Sequence, residues 1–144
     1  MPGSIRRFAV DFDGDGKIDL RNSAADAIGS VASFLSQHGW TSNLPLVYPV
    51  RPDPGSETVW KPLIGIALAA THSVDEISQA GVAVPDDLPR TLMVGLVDLQ
   101  DGERPTCYWV GSDNFFALTK YNRSYFYAMA VIELGNAIRQ HRRL

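Results

Sequence analysis

Apolar residues recur with a helical period in two parts of the chain, one near each end. The first part runs from Ser23 to Trp40. Its apolar stripe, every third or fourth position, consists of Ala24, Ala27, Ile28, Val31 and Leu35. Ser23 is a favourable N-cap, Asp26 stands at the third helical position as in a capping box, and Gly39 is a typical helix end. The pattern predicts an amphipathic helix that buries this stripe.

The second helical pattern begins after Ser124, which can cap it, and continues to about His141. Its expected buried side consists of Ala130, Val131, Leu134, Ala137 and Ile138. Three aromatic residues, 125–127, open this helix. Aromatic side chains at the start of a helix usually belong to the core, so this is their first interpretation.

Between the two helices the pattern changes to short apolar runs interrupted by prolines. The run Leu46–Val50 predicts a strand, whereas Leu63–Ala70 is compatible with a strand or a helix. Ser73, with Glu76 three residues later, predicts a short helix with a capping box. The alternation from Thr91 to Leu99, a turn at 100–103 and a second run at 106–110 predict a β-hairpin.

The predicted order of helix, strands and helix indicates an α+β fold with a small antiparallel β domain inserted into a helical part. The length of 144 residues, 45% of them hydrophobic, suits one domain with a core of its own. No apolar run approaches the roughly 20 residues that a membrane span requires. Thirteen basic and 16 acidic residues give a net charge of −3, so nucleic acid is not an expected partner.

Two further features of composition concern the surroundings of the protein. Cys107 is the single cysteine, which excludes a disulfide scaffold and makes a small buried side chain the simplest interpretation. The amino terminus lacks the apolar stretch of a signal peptide. We therefore expect either a cytosolic protein or a piece of a longer one.

The most specific local motif is the acidic loop, Asp11-Phe-Asp-Gly-Asp-Gly-Lys-Ile-Asp19. The carboxylates at its first, third and fifth positions belong to Asp11, Asp13 and Asp15. Oxygen ligands in this alternating arrangement suit Ca²⁺. Gly16 permits the sharp turn that such a loop needs, and Lys17 can offer its backbone carbonyl.

The twelfth position of this loop departs from the EF-hand pattern, because Asn22 replaces the usual bidentate Glu. Asp26 lies just beyond and is the candidate for the missing carboxylate. The alternative is an acidic, solvated turn in which Asp26 only caps its helix. We favour a structural, EF-hand-like site for Ca²⁺, with Na⁺ as a second candidate. The predicted ligands are Asp11, Asp13, Asp15, Lys17 and Asp26.

Three further segments are distinctive: Asp26-Ala-Ile-Gly-Ser30, Tyr108-Trp-Val-Gly111 and Tyr121-Asn-Arg-Ser124. Together with the acidic loop, and in this order, they resemble the membrane-bound lytic murein transglycosylase B family. The similarity is collinear over nearly the whole chain and weakest from about residue 43 to residue 70.

The resemblance implies a lysozyme-like helical core with an EF-hand-like cation site and a small β domain. Residues 1–42 and 113–144 would then be two parts of the core, with residues 43–112 as the inserted β domain. The family cleaves the β-1,4 bond between N-acetylmuramic acid and N-acetylglucosamine in peptidoglycan without water, leaving a 1,6-anhydromuramic product. The resemblance also implies glycan strands as ligands and other cell-wall enzymes as candidate partners. It implies a periplasmic or outer-membrane location, through an anchor outside this chain.

By the same resemblance, Tyr121 and Asn122 face the substrate and Tyr127 lines the cleft. These residue types suit a glycan, because an aromatic face packs on a pyranose and an amide can hydrogen-bond an N-acetyl group. In the family a single Glu, in a Glu-Ser motif upstream of the acidic loop, acts as acid and then as base, which requires a raised pKa. The glutamates of this chain, none followed by Ser, are Glu57, Glu76, Glu103 and Glu133.

We therefore expect this chain to be the C-terminal part of a lytic transglycosylase, inactive by itself. One alternative is a stand-alone, non-catalytic module that binds peptidoglycan or a partner protein. Another is a Ca²⁺-stabilised interaction domain unrelated to murein, which the motif around Tyr121 and Asn122 argues against. Removal of part of a helical core should also leave apolar surface exposed.

Overall fold

The computed structural model describes residues 2–65, 67–100 and 102–142. The chain divides into two compact units, Met1–Thr41 and Ser42–Leu144. In the first unit the acidic loop joins helix α1 (Pro2–Phe8) to helix α2 (Ala24–Gln37). The division into 1–42, 43–112 and 113–144 stays a prediction.

Helix α2 begins and ends where local chemistry predicts. The Ser23 hydroxyl accepts the backbone N–H of Asp26 at 3.2 Å. At the other end Gly39 has a φ of 91°, and the Trp40 N–H donates to the Leu35 carbonyl at 3.0 Å. This arrangement is a Schellman motif, in which a left-handed residue lets the chain satisfy the last carbonyls of a helix.

The prediction of which face of α2 is buried is wrong. Ile28 is 69% exposed, and the buried residues of the helix are Asp26, Gly29 and Ser30. The reason is that the acidic loop covers this polar and small face. The Ser30 hydroxyl accepts the backbone N–H of Val10 at 3.0 Å. A Cβ added to Gly29 would lie 2.6 Å from the side chain of Phe12, so only glycine allows this approach.

The second unit contains one antiparallel sheet of five strands, in the order β2-β4-β5-β1-β3. The strands are β1 (Val47–Pro52), β2 (His72–Ser73), β3 (Val82–Ala83), β4 (Met93–Leu99) and β5 (Cys107–Gly111). The predicted hairpin is confirmed, since Gly95 pairs with Gly111 and Leu99 with Cys107. The described residues of 63–70 form neither a strand nor an α-helix, and only Ile64 makes an isolated bridge.

The α-helices of this unit are α3 (Glu57–Trp60), α4 (Val74–Gln79), α5 (Asp113–Tyr121) and α6 (Tyr125–His141), and short 3-10 helices at Pro54–Ser56 and Lys61–Leu63 flank α3. One face of the sheet packs on α3 and α4 through Val50, Leu96, Trp60 and Ile77. On the other face the two strand glycines admit aromatic rings of α5. A Cβ on Gly95 would lie 2.5 Å from Cζ of Phe116, and one on Gly111 would lie 2.6 Å from Cδ1 of Phe115.

Helix α6 has the predicted bounds, but its predicted buried side is wrong. Its buried residues are Ala128, Met129 and Ile132, whereas Leu134 is 63% exposed. The helix packs on α5 and β4 through its first two turns, and residues 133–142 are all exposed.

Cys107, expected to be buried, is exposed at the start of β5. No helix in the described part of the chain combines the length and apolarity needed to cross a membrane.

Candidate functional site

The acidic loop folds around its own carboxylates. Asp11 accepts the N–H of Gly14 through Oδ1 at 2.7 Å and that of Gly16 through Oδ2 at 2.8 Å. The two glycines have φ values of 75° and 87°, in the left-handed region that favours glycine. Asp15 Oδ1 accepts the N–H of Lys17 at 2.8 Å. The alternating Asp-Gly pattern therefore lets the chain turn back on its first aspartate.

Asp26 closes the loop against helix α2. Its side chain is 1% exposed, and its two oxygens accept the N–H groups of Phe12 and Asp19, each at 2.8 Å. The hydrogen bond from Asp19, followed by that from Phe12, lowers the pKa of Asp26. Asp26 therefore does more than cap its helix, whereas a solvated acidic turn without a cation stays the alternative. The predicted capping box is also incomplete, because this carboxylate binds the loop instead of the Ser23 N–H.

The structure brings three of the predicted metal ligands together. One carboxylate oxygen from each of Asp11, Asp13 and Asp26 lies within 4.8 Å of the others. Because Ca²⁺ binds oxygen at about 2.3–2.6 Å, two ligands of one ion lie up to about 5 Å apart, so the spacing fits a hard cation. Asp15 lies outside this cluster, and the backbone carbonyl of Lys17 stays a predicted ligand.

Two residues near the loop have contacts that the sequence interpretation missed. The Ser23 hydroxyl, predicted only as a cap, donates to Asp13 Oδ2 at 2.7 Å. Asp19 accepts the N–H groups of Arg21 and Asn22 at 3.0 Å and the side-chain amide of Asn22 at 2.8 Å. These bonds lower the pKa of Asp19, with the Asn22 side chain contributing most. An aspartate at the start of a turn signals such local bonds to the backbone.

The second group of predicted site residues lies where α5 ends and α6 begins. The rings of Tyr121 and Tyr127 stack, with centroids 5.9 Å apart and planes at 19°. Asn122 is the exposed, extended C-cap of α5. Tyr121 is 50% exposed, whereas burial, and then the neighbouring Tyr121, raise the pKa of Tyr127. The three predicted glycan contacts therefore share one surface region.

The aromatic run at the start of α6 divides between core and surface. The Tyr125 ring packs 5.8 Å from that of Phe115, as the core interpretation predicts. Phe126 is exposed, contrary to that interpretation. The Ser124 hydroxyl accepts the Tyr127 N–H at 3.2 Å, which fixes the first turn of α6. The three side chains consequently leave the helix in different directions.

Among the described carboxylates, the glutamates have surroundings unlike those of a general acid. All four are exposed: Glu57, Glu76, Glu103 and Glu133. Glu76 accepts the N–H and hydroxyl of Ser73 at 2.7 and 3.0 Å, which completes the predicted capping box and lowers the pKa of Glu76. Glu57 forms an ion pair with Lys61. A glycosidase acid needs a raised pKa in a dry pocket, the opposite of what Glu76 has.

Comparison with known proteins identifies relatives of the whole chain. The model of the family described as Transglycosylase SLT domain matches residues 1–136. The curated membrane-bound lytic murein transglycosylase B of Escherichia coli (strain K12) is 35% identical over 139 residues, which cover 96% of this chain and 36% of that protein. The chain therefore spans little more than a third of this relative.

Solved structures show the same fold. Soluble lytic transglycosylase SltB1 from Pseudomonas aeruginosa has a TM-score of 0.86 and 38% identity, covering 100% of this chain and 46% of that one. The Escherichia coli lytic transglycosylase Slt35 in complex with calcium has a TM-score of 0.80 and 33% identity, covering 100% and 43%. SltB3 from Pseudomonas aeruginosa in complex with NAG-NAM-pentapeptide has a TM-score of 0.72 and 31% identity, covering 91% and 34%.

Proposed function

This chain belongs to the Transglycosylase SLT domain family, and we propose that it is the C-terminal part of a lytic transglycosylase. The reaction is cleavage of the β-1,4 bond between N-acetylmuramic acid and N-acetylglucosamine in peptidoglycan, without water, to a 1,6-anhydromuramic end. The observation that carries this proposal is the stacked pair of Tyr121 and Tyr127 beside the exposed Asn122. The curated relative from Escherichia coli is a murein transglycosylase, which supports peptidoglycan as the substrate class.

The geometry of this region suits a sugar ring. The exposed ring of Tyr121 offers an apolar face, and the Tyr127 ring behind it limits the rotation of Tyr121. A side chain held in its binding orientation loses less conformational entropy when a ligand arrives. The amide of Asn122 has both a donor and an acceptor for an N-acetyl group. We assign Tyr121 and Asn122 to glycan contact and Tyr127 to the wall of the cleft.

We propose that the catalytic acid is none of Glu57, Glu76, Glu103 and Glu133, because each is exposed. The only fully buried carboxylate among the described residues is Asp26, and its lowered pKa keeps it ionised. Residues 1–42 and 113–144 then contribute two parts of a lysozyme-like core, residues 43–112 form the inserted β domain, and the chain alone binds glycan without cleaving it. The periplasm or outer membrane is the matching location.

A structural cation completes the proposal for the first unit. Asp11, Asp13 and Asp26 fit a hard cation, because close carboxylates repel one another unless a positive charge neutralises them. We assign Ca²⁺, or Na⁺ as the weaker candidate, to an EF-hand-like loop that also includes Asp15 and Lys17. The calcium complex of Slt35 supports this choice. When bound, the ion neutralises the carboxylates and stabilises the loop.

The test combines binding and product analysis on purified peptidoglycan. The folded chain, with Ca²⁺ present, should co-sediment with peptidoglycan and release no anhydromuramic products detectable by mass spectrometry. Tyr121→Ala and Asn122→Ala should each weaken binding about fivefold or more. Phe126→Ala is the matched control, because Phe126 is an exposed aromatic residue outside the stacked pair.

Several outcomes would contradict the proposal, each in a different way. Anhydromuramic products would show that the chain carries its own acid, and Glu57 would be the first residue to replace. Absence of binding, or an equal loss in the Phe126 control, would remove the stacked tyrosines from the glycan site. The chain could also bind peptidoglycan but remain inactive when the rest of a family enzyme is added. That result would favour the stand-alone binding module.

A further inference from the structure

A cavity of about 370 Å³ lies in the second unit between residues 67–69 and the end of α5. It is lined by Ala67, Leu68, Ala69, Thr119, Lys120 and Arg123. One wall consists of small and apolar residues, and the other carries two basic side chains. No acidic side chain is among these lining residues. The cavity is large enough for part of a small ligand, since ligand sites begin at about 300 Å³.

The two cations of this cavity are available to an incoming anion. Ion pairs among the described residues join Lys61 to Glu57 and Arg90 to Asp86, and neither pair involves the cavity. The ammonium of Lys120 donates to the Leu68 carbonyl at 3.0 Å, which links the two walls of the cavity. An ammonium has three donors, so it can still bind an oxygen of a ligand.

Position links this cavity to the proposed glycan site. Lys120 and Arg123 immediately precede and follow Tyr121 and Asn122, so one short segment carries both the sugar contacts and the charges. Peptidoglycan presents carboxylates on the stem peptides attached to its muramic acid residues. Guanidinium and ammonium groups bind carboxylates through charge-assisted hydrogen bonds.

Building on the proposed function, we propose that this cavity is a subsite for a stem-peptide carboxylate of the bound glycan. Arg123 and Lys120 bind the carboxylate, and the wall formed by Ala67 and Ala69 accommodates the adjoining peptide. Helix stability alone accounts poorly for this pair. A cation in the last turn of α5 stabilises the helix end, which explains Lys120, but Arg123 lies outside the helix.

The experiment measures calorimetric binding of the folded chain to two probes. One is the disaccharide-tetrapeptide GlcNAc-MurNAc-tetrapeptide, and the other is chitotetraose, a peptide-free glycan. Arg123→Gln and Lys120→Gln should each lower the affinity for the glycopeptide about five- to tenfold and leave the affinity for chitotetraose unchanged. Salt at 500 mM should remove most of that difference, because it screens exposed charges.

Two further variants separate binding from folding. Arg139→Gln removes a charge from the exposed end of α6 and should change neither affinity. Lys120→Arg keeps the charge and should keep glycopeptide affinity to within about twofold. Should Lys120→Gln unfold through loss of its bond to Leu68, Arg123→Gln still decides, since no described hydrogen bond depends on its side chain.

The outcomes distinguish this subsite from the proposed function. Unchanged glycopeptide affinity in Arg123→Gln, with both probes bound by the parent chain, would overturn the subsite and leave the glycan site intact. An equal loss for both probes would also overturn it, because the cations would then bind sugar. If the parent chain binds neither probe, the glycan proposal fails together with the subsite that depends on it.

Discussion

The Oδ2 atom of Asp26 accepts the backbone N–H of Asp19 at 2.8 Å, so a buried helix residue holds the end of the acidic loop. The other oxygen of the same carboxylate holds Phe12, near the start of that loop. Asp26 also lies in the carboxylate cluster with Asp11 and Asp13. Loop conformation and the proposed cation site therefore depend on one side chain, and both should respond when it is altered.

Acid should destabilise the first unit through Asp26. Its folded-state pKa lies below the ordinary 3.8, so its contribution to stability is complete above pH 3.8 and is lost as the pH falls toward the folded-state pKa. The melting temperature should be nearly constant from about pH 7 to pH 5 and should decrease once the pH is below about 4. The pKa values of Asp19 and Glu76 are also lowered, so these carboxylates contribute to the same loss of stability in acid. Thermal unfolding by circular dichroism measures this.

The variant Asp26→Asn isolates that contribution. Asparagine has one carbonyl oxygen, so either the Phe12 or the Asp19 N–H loses its acceptor. The melting temperature at pH 7 should fall by more than about 5 °C, and its decline in acid should become shallower. Asp86→Asn is the control, because the Asp86 side chain is fully exposed. Equal slopes in acid for Asp26→Asn and the parent chain would contradict the assignment.

Calcium should stabilise the first unit selectively. At a free concentration 100 times the measured Kd, binding to the folded state alone contributes about 2.7 kcal/mol. Hydrogen exchange of the α2 amides, compared with those of α6, locates the effect in the first unit. Asp13→Asn should reduce the gain, whereas Asp86→Asn should preserve it. Stabilisation that Asp13→Asn leaves intact would place the cation elsewhere.

Local chemistry was predictable from sequence, and the burial of helix faces was not. The caps Ser23, Ser73 and Ser124 each accept the N–H of the third residue after them, as their short-range patterns predict. By contrast, Ala24, Ile28 and Val31 of the predicted apolar stripe of α2 are exposed, because the polar face is the one that the acidic loop covers. Spacing predicted Asp11 and Asp13 as ligands, and their carboxylates do lie in one cluster with that of Asp26. The two N–H groups bound by Asp26 follow only from the folded loop.

The charged cavity illustrates the same limit over a longer distance. Lys120 and Arg123 are unremarkable in the sequence, because single cations near a helix end are common. Their ligand-binding potential depends on residues 67–69, about 50 positions earlier, in a segment that has no regular secondary structure. No periodicity or spacing rule connects such a segment to the end of α5. Only the path of the chain around β4 and α5 brings the two together.

Two helical glycines should respond to alanine in opposite directions. Gly29→Ala places a methyl group 2.6 Å from the Phe12 side chain and should displace the acidic loop, lowering both stability and Ca²⁺ affinity. A Cβ on Gly135 of α6 meets no atom within 4 Å, so Gly135→Ala should stabilise the protein by about 0.5–1 kcal/mol through helix propensity. Chemical denaturation and calcium titration test both. A stable Gly29→Ala variant with normal calcium affinity would show that the loop tolerates displacement.

The role of Tyr127 should depend on its ring and not on its hydroxyl. The Tyr127 ring lies 5.9 Å from that of Tyr121 and is nearly parallel to it, so Tyr127→Phe preserves the stack. We expect Tyr127→Phe to bind the disaccharide-tetrapeptide within about twofold of the parent chain. Tyr127→Ala should lower the affinity about fivefold, because Tyr121 then loses the ring stacked against it and aromatic pairs contribute about 0.5–1.5 kcal/mol. Circular dichroism must show that both variants are folded. Equal affinity of the Phe and Ala variants would mean that Tyr121 binds glycan without support from Tyr127.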